Sequence, residues 1–250
     1  MLWFNIIVLC ALALFAPDPA AACSPAAPYL FHGAARERLQ EIDSAQSDGE
    51  IERMVLLHNL AFHGDRQSRE LAEQLNKQLR KRIGETPLLS AYRGSLEMIA
   101  VSHRSKAGKI IGKAFGGILF DSPYDNLREG FDRISKGLAA DPNNRQLRLL
   151  RATAATEVGE HLPELLDDAY ADLLYLGGQV DSTDSAATFF YYLSWAKYYC
   201  KRAVNSEQAH TFRDWEARRL AGEYLEIAIR YTCTPLYVAE HAIWDARVRQ

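Results

Sequence analysis

Three arginines, Arg145, Arg148 and Arg151, recur at every third position of one stretch of the chain. On a helix this spacing brings their side chains near one side. Guanidinium groups bind carboxylates through paired hydrogen bonds. Two roles follow, and the sequence leaves both open. The arginines clamp the carboxylates of a partner, or they pair within the chain with Asp132 and Asp172 and tie neighbouring helices together.

A glycine-rich stretch with Gly108, Gly112 and Lys113 has the outline of a phosphate-binding loop. Its spacing is one residue too short, and Ala114 stands where such a loop needs a serine or threonine to bind magnesium. The stretch also follows a predicted helix, whereas a phosphate loop follows a strand. The sequence therefore predicts no nucleotide site here.

Signatures of metal binding and catalysis are weak. His58 and His63 are five residues apart, a spacing that does not place them on one helical face, and the sequence has no His-Glu-x-x-His run. Nothing marks Cys200 or Cys233 as a nucleophile, although a distant Cys–His pair leaves no local signature. We therefore predict no catalytic residue, no metal and no cofactor. A hydrolase with an unrecognised site between helices is the alternative.

Residues 104–119 read as a basic amphipathic segment. On a helix over this segment, Lys106, Lys109 and Lys113 lie towards one side, and Phe115 belongs to the apolar side. Such a helix rests on an anionic membrane surface or docks into a partner. Alternatively, its apolar side packs on the rest of the protein and its lysines are solvated.

Helices must position these residues, because no stretch of the sequence alternates polar and apolar residues between hairpin turns as a strand does. Apolar residues instead recur with helical spacing, and Gly64, Gly84 and Pro142 mark helix ends and starts. The sequence predicts helices over residues 33–45, 50–63, 66–83, 87 to about 102, 126–140, 145–157, 163–176, 185–202, 211–231 and 235–249.

A pattern of small and bulky residues precedes the Asp-Pro-Asn-Asn corner that contains Pro142. The pattern consists of Gly130, Ile134 and Gly137, and its spacing recurs at Ala169, Leu173 and Leu176 and at Ala221, Leu225 and Ala228. It resembles the second helix of a tetratricopeptide (TPR) repeat. The intervals are 39 and 52 residues, against about 34 in the standard repeat. The resemblance is therefore to irregular repeats over about residues 87–232.

This resemblance implies an all-α fold, a short TPR-like solenoid of antiparallel helix pairs over residues 33–250, with N- and C-terminal capping helices. In such proteins the first helix of each pair lines a concave groove that binds a protein or peptide. The partner-binding residues expected in the groove are Tyr92, Arg93, Arg148, Arg151, Tyr192 and Trp195. Because aromatic residues cover every side of the helix that carries Tyr192 and Trp195, core filling is an alternative role for these two.

The N-terminal residues predict export. Residues 2–16 are almost continuously apolar, but they are fewer than the roughly 20 residues of a membrane-spanning helix. A Pro-Asp-Pro run ends them, and three alanines then offer a cleavage site. This predicts a signal peptide over residues 1–22 and a linker over residues 23–32. An uncleaved anchor is one alternative, and a bacterial lipoprotein with its lipid on Cys23 is another.

Cys200 and Cys233 lie late in the chain on segments predicted to be neighbouring helices. In an oxidising compartment a disulfide between them closes a loop of 33 positions, which stabilises a fold by about 3–4 kcal/mol. Two buried thiols are the alternative, since cysteine is commonly an interior residue.

Composition argues against nucleic acid as a partner. The 250 residues are 48% hydrophobic and carry a net charge of −3, so the chain lacks the general basic surface that nucleic acid requires. We expect an exported, periplasmic, non-catalytic interaction scaffold or accessory factor of the bacterial envelope, with a protein or peptide as partner. A membrane-surface lipoprotein held by Cys23 and residues 104–119 is a second hypothesis.

Overall fold

The computed structural model describes residues 32–45, 49–114, 123–180, 185–208 and 214–230. Within these ranges every regular element is a helix, so the all-α prediction is confirmed. In chain order the helices are α1 (His32–Ala45), α2 (Glu50–Phe62), α3 (Arg66–Ile83), α4 (Pro87–Ala114), α5 (Pro123–Ala140), α6 (Arg145–Val158), α7 (Leu166–Gly177), α8 (Ser185–Gln208) and α9 (Asp214–Ile229). A 3-10 turn at Pro163–Leu165 leads into α7.

Side chains at the starts of α3 and α6 bind backbone N–H groups that a helix leaves unpaired. The Asp65 carboxylate accepts a hydrogen bond from the backbone nitrogen of Ser68 (3.1 Å) at the start of α3. Asn144, the last residue of the Asp-Pro-Asn-Asn corner, accepts one from Leu147 (3.1 Å) at the start of α6. Gly84 ends α3 with a φ of 85°, a conformation that glycine adopts without strain. These local signals explain why the sequence placed the bounds of α3 correctly.

Successive helices pack as adjacent pairs, α2 with α3, α4 with α5, α6 with α7 and α8 with α9. The leading members of the pairs, α2, α4, α6 and α8, are called the first helices here. Each first helix also contacts the next one along the chain, and α1 packs on α2. The result is a solenoid-like row in which each pair buries its apolar face against its neighbours.

The nine residues of the small-and-bulky pattern are all buried. Ile134, Ala169 and Leu173 have no exposed surface, and neither do Ala221 and Ala228. These positions belong to second helices and face the first helices of the row. The prediction that the pattern marks buried contacts between helices is therefore confirmed.

Glycines let α4 and α5 approach closely. A Cβ atom on Gly130 would lie 2.7 Å from the carbonyl oxygen of Gly94, and one on Gly137 would lie 2.5 Å from the carbonyl oxygen of Pro87. Real Cβ atoms do not approach backbone atoms this closely. The predicted requirement for small residues at Gly130 and Gly137 is therefore confirmed.

Two helices extend well beyond their predicted C-terminal ends. The helix that begins at Pro87 does not stop near Ser102 but continues as α4 to Ala114, because the basic segment is helical and joins it without a break. Similarly, α8 extends past Arg202 to Gln208. The predicted capping helix over residues 235–249 lies outside the described residues. Over the described part of the chain, we find no helix whose length and apolar character suit a membrane span.

Candidate functional site

A groove with a cavity of about 100 Å³ runs across all four first helices. The lining residues are Val55, His58, Asn59, Phe62 and His63 from α2 and its end, Tyr92 and Ser95 from α4, Gln146, Leu149, Leu150, Thr153 and Ala154 from α6, and Phe190 and Lys197 from α8. The surface of the lining is mostly apolar, with amide, hydroxyl and imidazole groups and one lysine between the apolar side chains. The row of helix pairs therefore brings together residues that lie far apart in the chain, from Val55 to Lys197.

Polar contacts between neighbouring first helices form the floor of the groove. His58 Nε2 lies 2.7 Å from Ser95 Oγ, a buried hydrogen bond between α2 and α4. Gln146 Nε2 donates to Tyr92 Oη (2.7 Å), which joins α6 to α4. The first contact pairs two buried polar side chains, and the second joins the buried Tyr92 to the exposed Gln146. Together they hold the relative register of three first helices.

Two lysines of α8 make the corresponding contacts with α6 and the turn after it. Lys197 Nζ lies 3.7 Å from Glu157 Oε1, and Lys201 Nζ lies 2.8 Å from Glu160 Oε1. Both lysine side chains are only 8% exposed. Their charges are therefore balanced by carboxylates before any partner approaches the groove.

His58 is uncharged at neutral pH. It is 6% exposed, and its ring meets the ring of Tyr92 edge-on at 4.8 Å. Burial lowers the pKa of His58 to about 3, with a smaller contribution from the charge of nearby His63. The imidazole thus acts as a neutral hydrogen-bonding group in the floor of the groove.

Arg148 and Arg151 point at α7 and share one carboxylate there. Arg148 Nη1 lies 2.9 Å from Asp172 Oδ1, and Arg151 Nε lies 2.7 Å from Asp172 Oδ2. Asp172 has no exposed surface. The guanidinium of Arg148 also lies 3.7 Å over the ring of Tyr175. The sequence left open whether these arginines bind a partner or pair within the chain. Their contacts with Asp172 are those of pairing within the chain.

Trp195 and Tyr192 belong to an aromatic cluster where α8 meets α7 and α9. Trp195 is 3% exposed, meets Tyr170 edge-on at 5.5 Å, and lies nearly parallel to Tyr199 at 5.7 Å. Tyr192 is half-buried and stacks on Tyr224 at 6.2 Å. Neither residue lines the groove. Trp195 therefore has the contacts of a core residue, which is the alternative role that the sequence left open for it.

Arg93 takes part in a charge network between α4 and α5. Its Nε lies 2.9 Å from Glu97 Oε1, and the other oxygen of Glu97 lies 2.9 Å from Arg133 Nε. Of the six residues expected in the groove, the structure places only Tyr92 in its lining. Arg148, Arg151, Tyr192 and Trp195 contact neighbouring helices instead, and Arg93 pairs with Glu97 of its own helix.

Sequence reasoning missed most of the groove, including His58, Ser95 and Gln146. A helical spacing was nevertheless present. On α6 the lining residues recur at intervals of three or four from Gln146 to Ala154, and on α8 Phe190 and Lys197 are seven apart. This period marks one helical face, but it does not say whether that face meets solvent, a neighbouring helix or a groove.

The remaining predicted residues lie away from the groove lining or outside the described residues. Lys106, Lys109 and Lys113 belong to the last turns of α4, whereas Cys23, Phe115 and Cys233 lie outside the described residues. Cys200 is a half-buried residue of α8. The described part of the chain contains no group of three histidine, cysteine or acidic side chains arranged to hold a metal ion.

Comparisons of the chain with protein-family models, with curated proteins and with solved structures find no match.

Proposed function

We propose that this protein is an exported, TPR-like interaction scaffold that binds a protein or peptide partner along the groove of its first helices, without catalysis. The repeat spacing around Gly130, Ala169 and Ala221 supports the TPR-like assignment, because its members are buried where helices pack on one another. The N-terminal residues 1–22 support export to the periplasm of a bacterial cell.

The observation that carries the binding proposal is that the lining of the groove comes from four different helices. Four successive first helices each contribute residues to one surface. Solenoid proteins use such extended surfaces to bind partners. The cavity within the groove is about 100 Å³, well below the roughly 300–1,000 Å³ of a typical small-molecule site. A macromolecular partner therefore fits this surface better than a cofactor or small substrate.

The same geometry weighs against the hydrolase alternative at the polar pair in the floor. A nucleophilic serine needs a base that accepts its proton near neutral pH, whereas the pKa of His58 is lowered to about 3. Ser95 also lies inside α4, where neighbouring backbone N–H groups are hydrogen-bonded along the helix and are not available as oxyanion donors. The His58–Ser95 contact serves the packing of two helices.

The proposal is tested by affinity capture from native envelope extracts with a matched pair of variants. Leu149→Glu places a charge in the groove, and Leu174→Glu makes the same change at a residue of α7 that is 55% exposed. We expect the wild-type chain and Leu174→Glu to retain one common partner and Leu149→Glu to lose it. Equal retention by both variants would place partner binding elsewhere and remove the groove proposal.

The membrane-surface hypothesis makes a different prediction, which depends on Cys23 and the basic segment. Flotation with anionic liposomes would compare the intact protein with Cys23→Ala and with a variant whose Lys106, Lys109 and Lys113 are replaced by serine. Lipidation predicts loss of flotation in the first variant, and electrostatic binding predicts loss in the second. If the intact protein itself fails to float, both forms of this hypothesis are removed.

A further inference from the structure

We infer that the segment bound in the groove is an uncharged peptide that inserts one aliphatic side chain into the cavity between the first helices. This inference rests on the proposed function and specifies the chemistry of the partner. Three features of the described residues carry it, namely the size of the cavity, the side chains that line it and the pairing of the charges around it.

Size and lining indicate an aliphatic anchor. The cavity measures about 100 Å³, whereas a cavity of about 150 Å³ lined by aliphatic and aromatic side chains takes up a benzene molecule. Val55, Leu149, Leu150 and Ala154 supply apolar surface to it. A leucine, isoleucine, valine or methionine side chain therefore suits the space better than a ring as large as that of tryptophan.

Charge indicates a neutral segment. No aspartate or glutamate is among the lining residues that the structure describes, and Lys197 is paired with Glu157 at 3.7 Å. Arg148 and Arg151 are directed at Asp172 on the far side of α6. The other basic groups of the lining are His58, which is uncharged, and His63, whose exposed ring meets the ring of Phe62 edge-on. Over the rest of the lining a charged residue of a partner would leave water for an apolar surface without gaining an opposite charge, which is unfavourable.

Polar groups between the apolar ones are suited to a peptide backbone. Thr153 and Gln146 both line the groove on α6. Thr153 is half-buried and carries a hydroxyl group, and Gln146 is exposed and carries an amide. Neutral donors and acceptors of this kind bind the N–H and C=O groups of an extended chain without requiring charge. They fix the backbone while the cavity selects the anchor.

The test is selection of random, display-bound peptides on the full chain, followed by affinity measurements on the enriched sequences. We expect every enriched family to share one Leu, Ile, Val or Met position and to contain fewer Asp, Glu, Lys and Arg residues than the library. Thr153→Phe fills the cavity, so the Kd should rise at least about tenfold, the value of one buried aliphatic side chain. Ala139→Phe, an exposed position on α5, is the matched control and should leave the Kd unchanged.

The outcomes separate this inference from the proposed function. Enrichment of peptides with a charged anchor, or an unchanged Kd in Thr153→Phe, would overturn the aliphatic-anchor inference while leaving an interaction scaffold in place. Failure to enrich any peptide family would count against the proposed function as well. The peptide composition is read on the wild-type chain, so the test does not depend on the folding of Thr153→Phe.

Discussion

His58 of α2 and Ser95 of α4 are hydrogen-bonded across 2.7 Å in the floor of the groove, although 37 positions separate them in the chain. Both residues are buried. Their contact belongs to the surface that we propose for partner binding and also joins two first helices. A change at His58 should therefore affect the stability of the row as well as the shape of the groove.

The first prediction is a loss of stability in mild acid that depends on His58. Its pKa is about 3 in the folded protein and about 6.5 in an unfolded chain. As the pH falls, the unfolded state therefore binds the proton before the folded state does. The contribution of neutral His58 to the free energy of unfolding is complete above about pH 6.5 and is lost progressively as the pH falls towards 3. At pH 5 the expected loss is about 2 kcal/mol. Urea unfolding at pH 7 and pH 5 measures it.

The control for this prediction is His58→Gln, which retains a polar side chain but cannot titrate. The difference in unfolding free energy between pH 7 and pH 5 should be smaller in this variant than in the wild-type chain by about 2 kcal/mol. An identical difference in both proteins would mean that other groups cause the acid sensitivity and that His58 is protonated without penalty.

A second prediction uses the glycine contact between α4 and α5. Gly130→Ala would place a methyl group 2.7 Å from the carbonyl oxygen of Gly94, so the helices must separate, which costs about 1–3 kcal/mol. Gly222 lies inside α9, and apart from its chain neighbours and the backbone of its own helix, no atom of the described residues lies within 4 Å of the position that a Cβ would take there. Gly222→Ala should instead stabilise by about 1 kcal/mol through helix propensity. Thermal unfolding of the two variants should show shifts of opposite sign. Shifts of the same sign would contradict the close approach.

The sequence was informative wherever one local pattern decided the structure. The spacing of Gly130, Ile134 and Gly137 identified buried contacts because it places two small residues and one bulky apolar residue on the same face of a helix. Small residues on such a face allow a second helix to pack closely against it. The ends of α3 were predictable for the same reason, since Asp65 caps the helix and Gly84 terminates it. Helix class and pairing follow from such local signals.

The groove was not predictable, because its residues are selected by contacts between distant segments. Arg148 and Arg151 share one side of α6, as their spacing indicated, but Asp172 of α7 decides which way they face. Trp195 and Phe190 lie on the same aromatic helix, yet one fills the core and the other lines the groove. The residues next to Trp195 and Phe190 in the sequence do not indicate which of the two is a core residue and which lines the groove.

A third prediction concerns the disulfide between Cys200 and Cys233. Cys200 is half-buried on α8, and the prediction of a bridge rests on the proposed export and on the late position of both residues in the chain. If the bridge forms, mass spectrometry of the protein isolated without reductant will find both residues in one linked peptide. Reduction should then lower the unfolding free energy by about 3–4 kcal/mol. Cys200→Ser is the control, because reduction should not destabilise it, and alkylation of both thiols without reductant would favour the buried-thiol alternative.

The fourth prediction compares two carboxylates that contact the same guanidinium. Arg151 lies 2.7 Å from Asp172, which is fully buried, and 3.2 Å from Asp168, whose side chain is 41% exposed. Asp172→Asn leaves Arg148 and Arg151 without their shared buried charge, and we expect a loss of about 3–5 kcal/mol in urea unfolding. Asp168→Asn removes a solvated pair and should cost less than about 1 kcal/mol. Similar losses in the two variants would show that the arginines do not depend on Asp172, and they would again be candidates for contact with a partner.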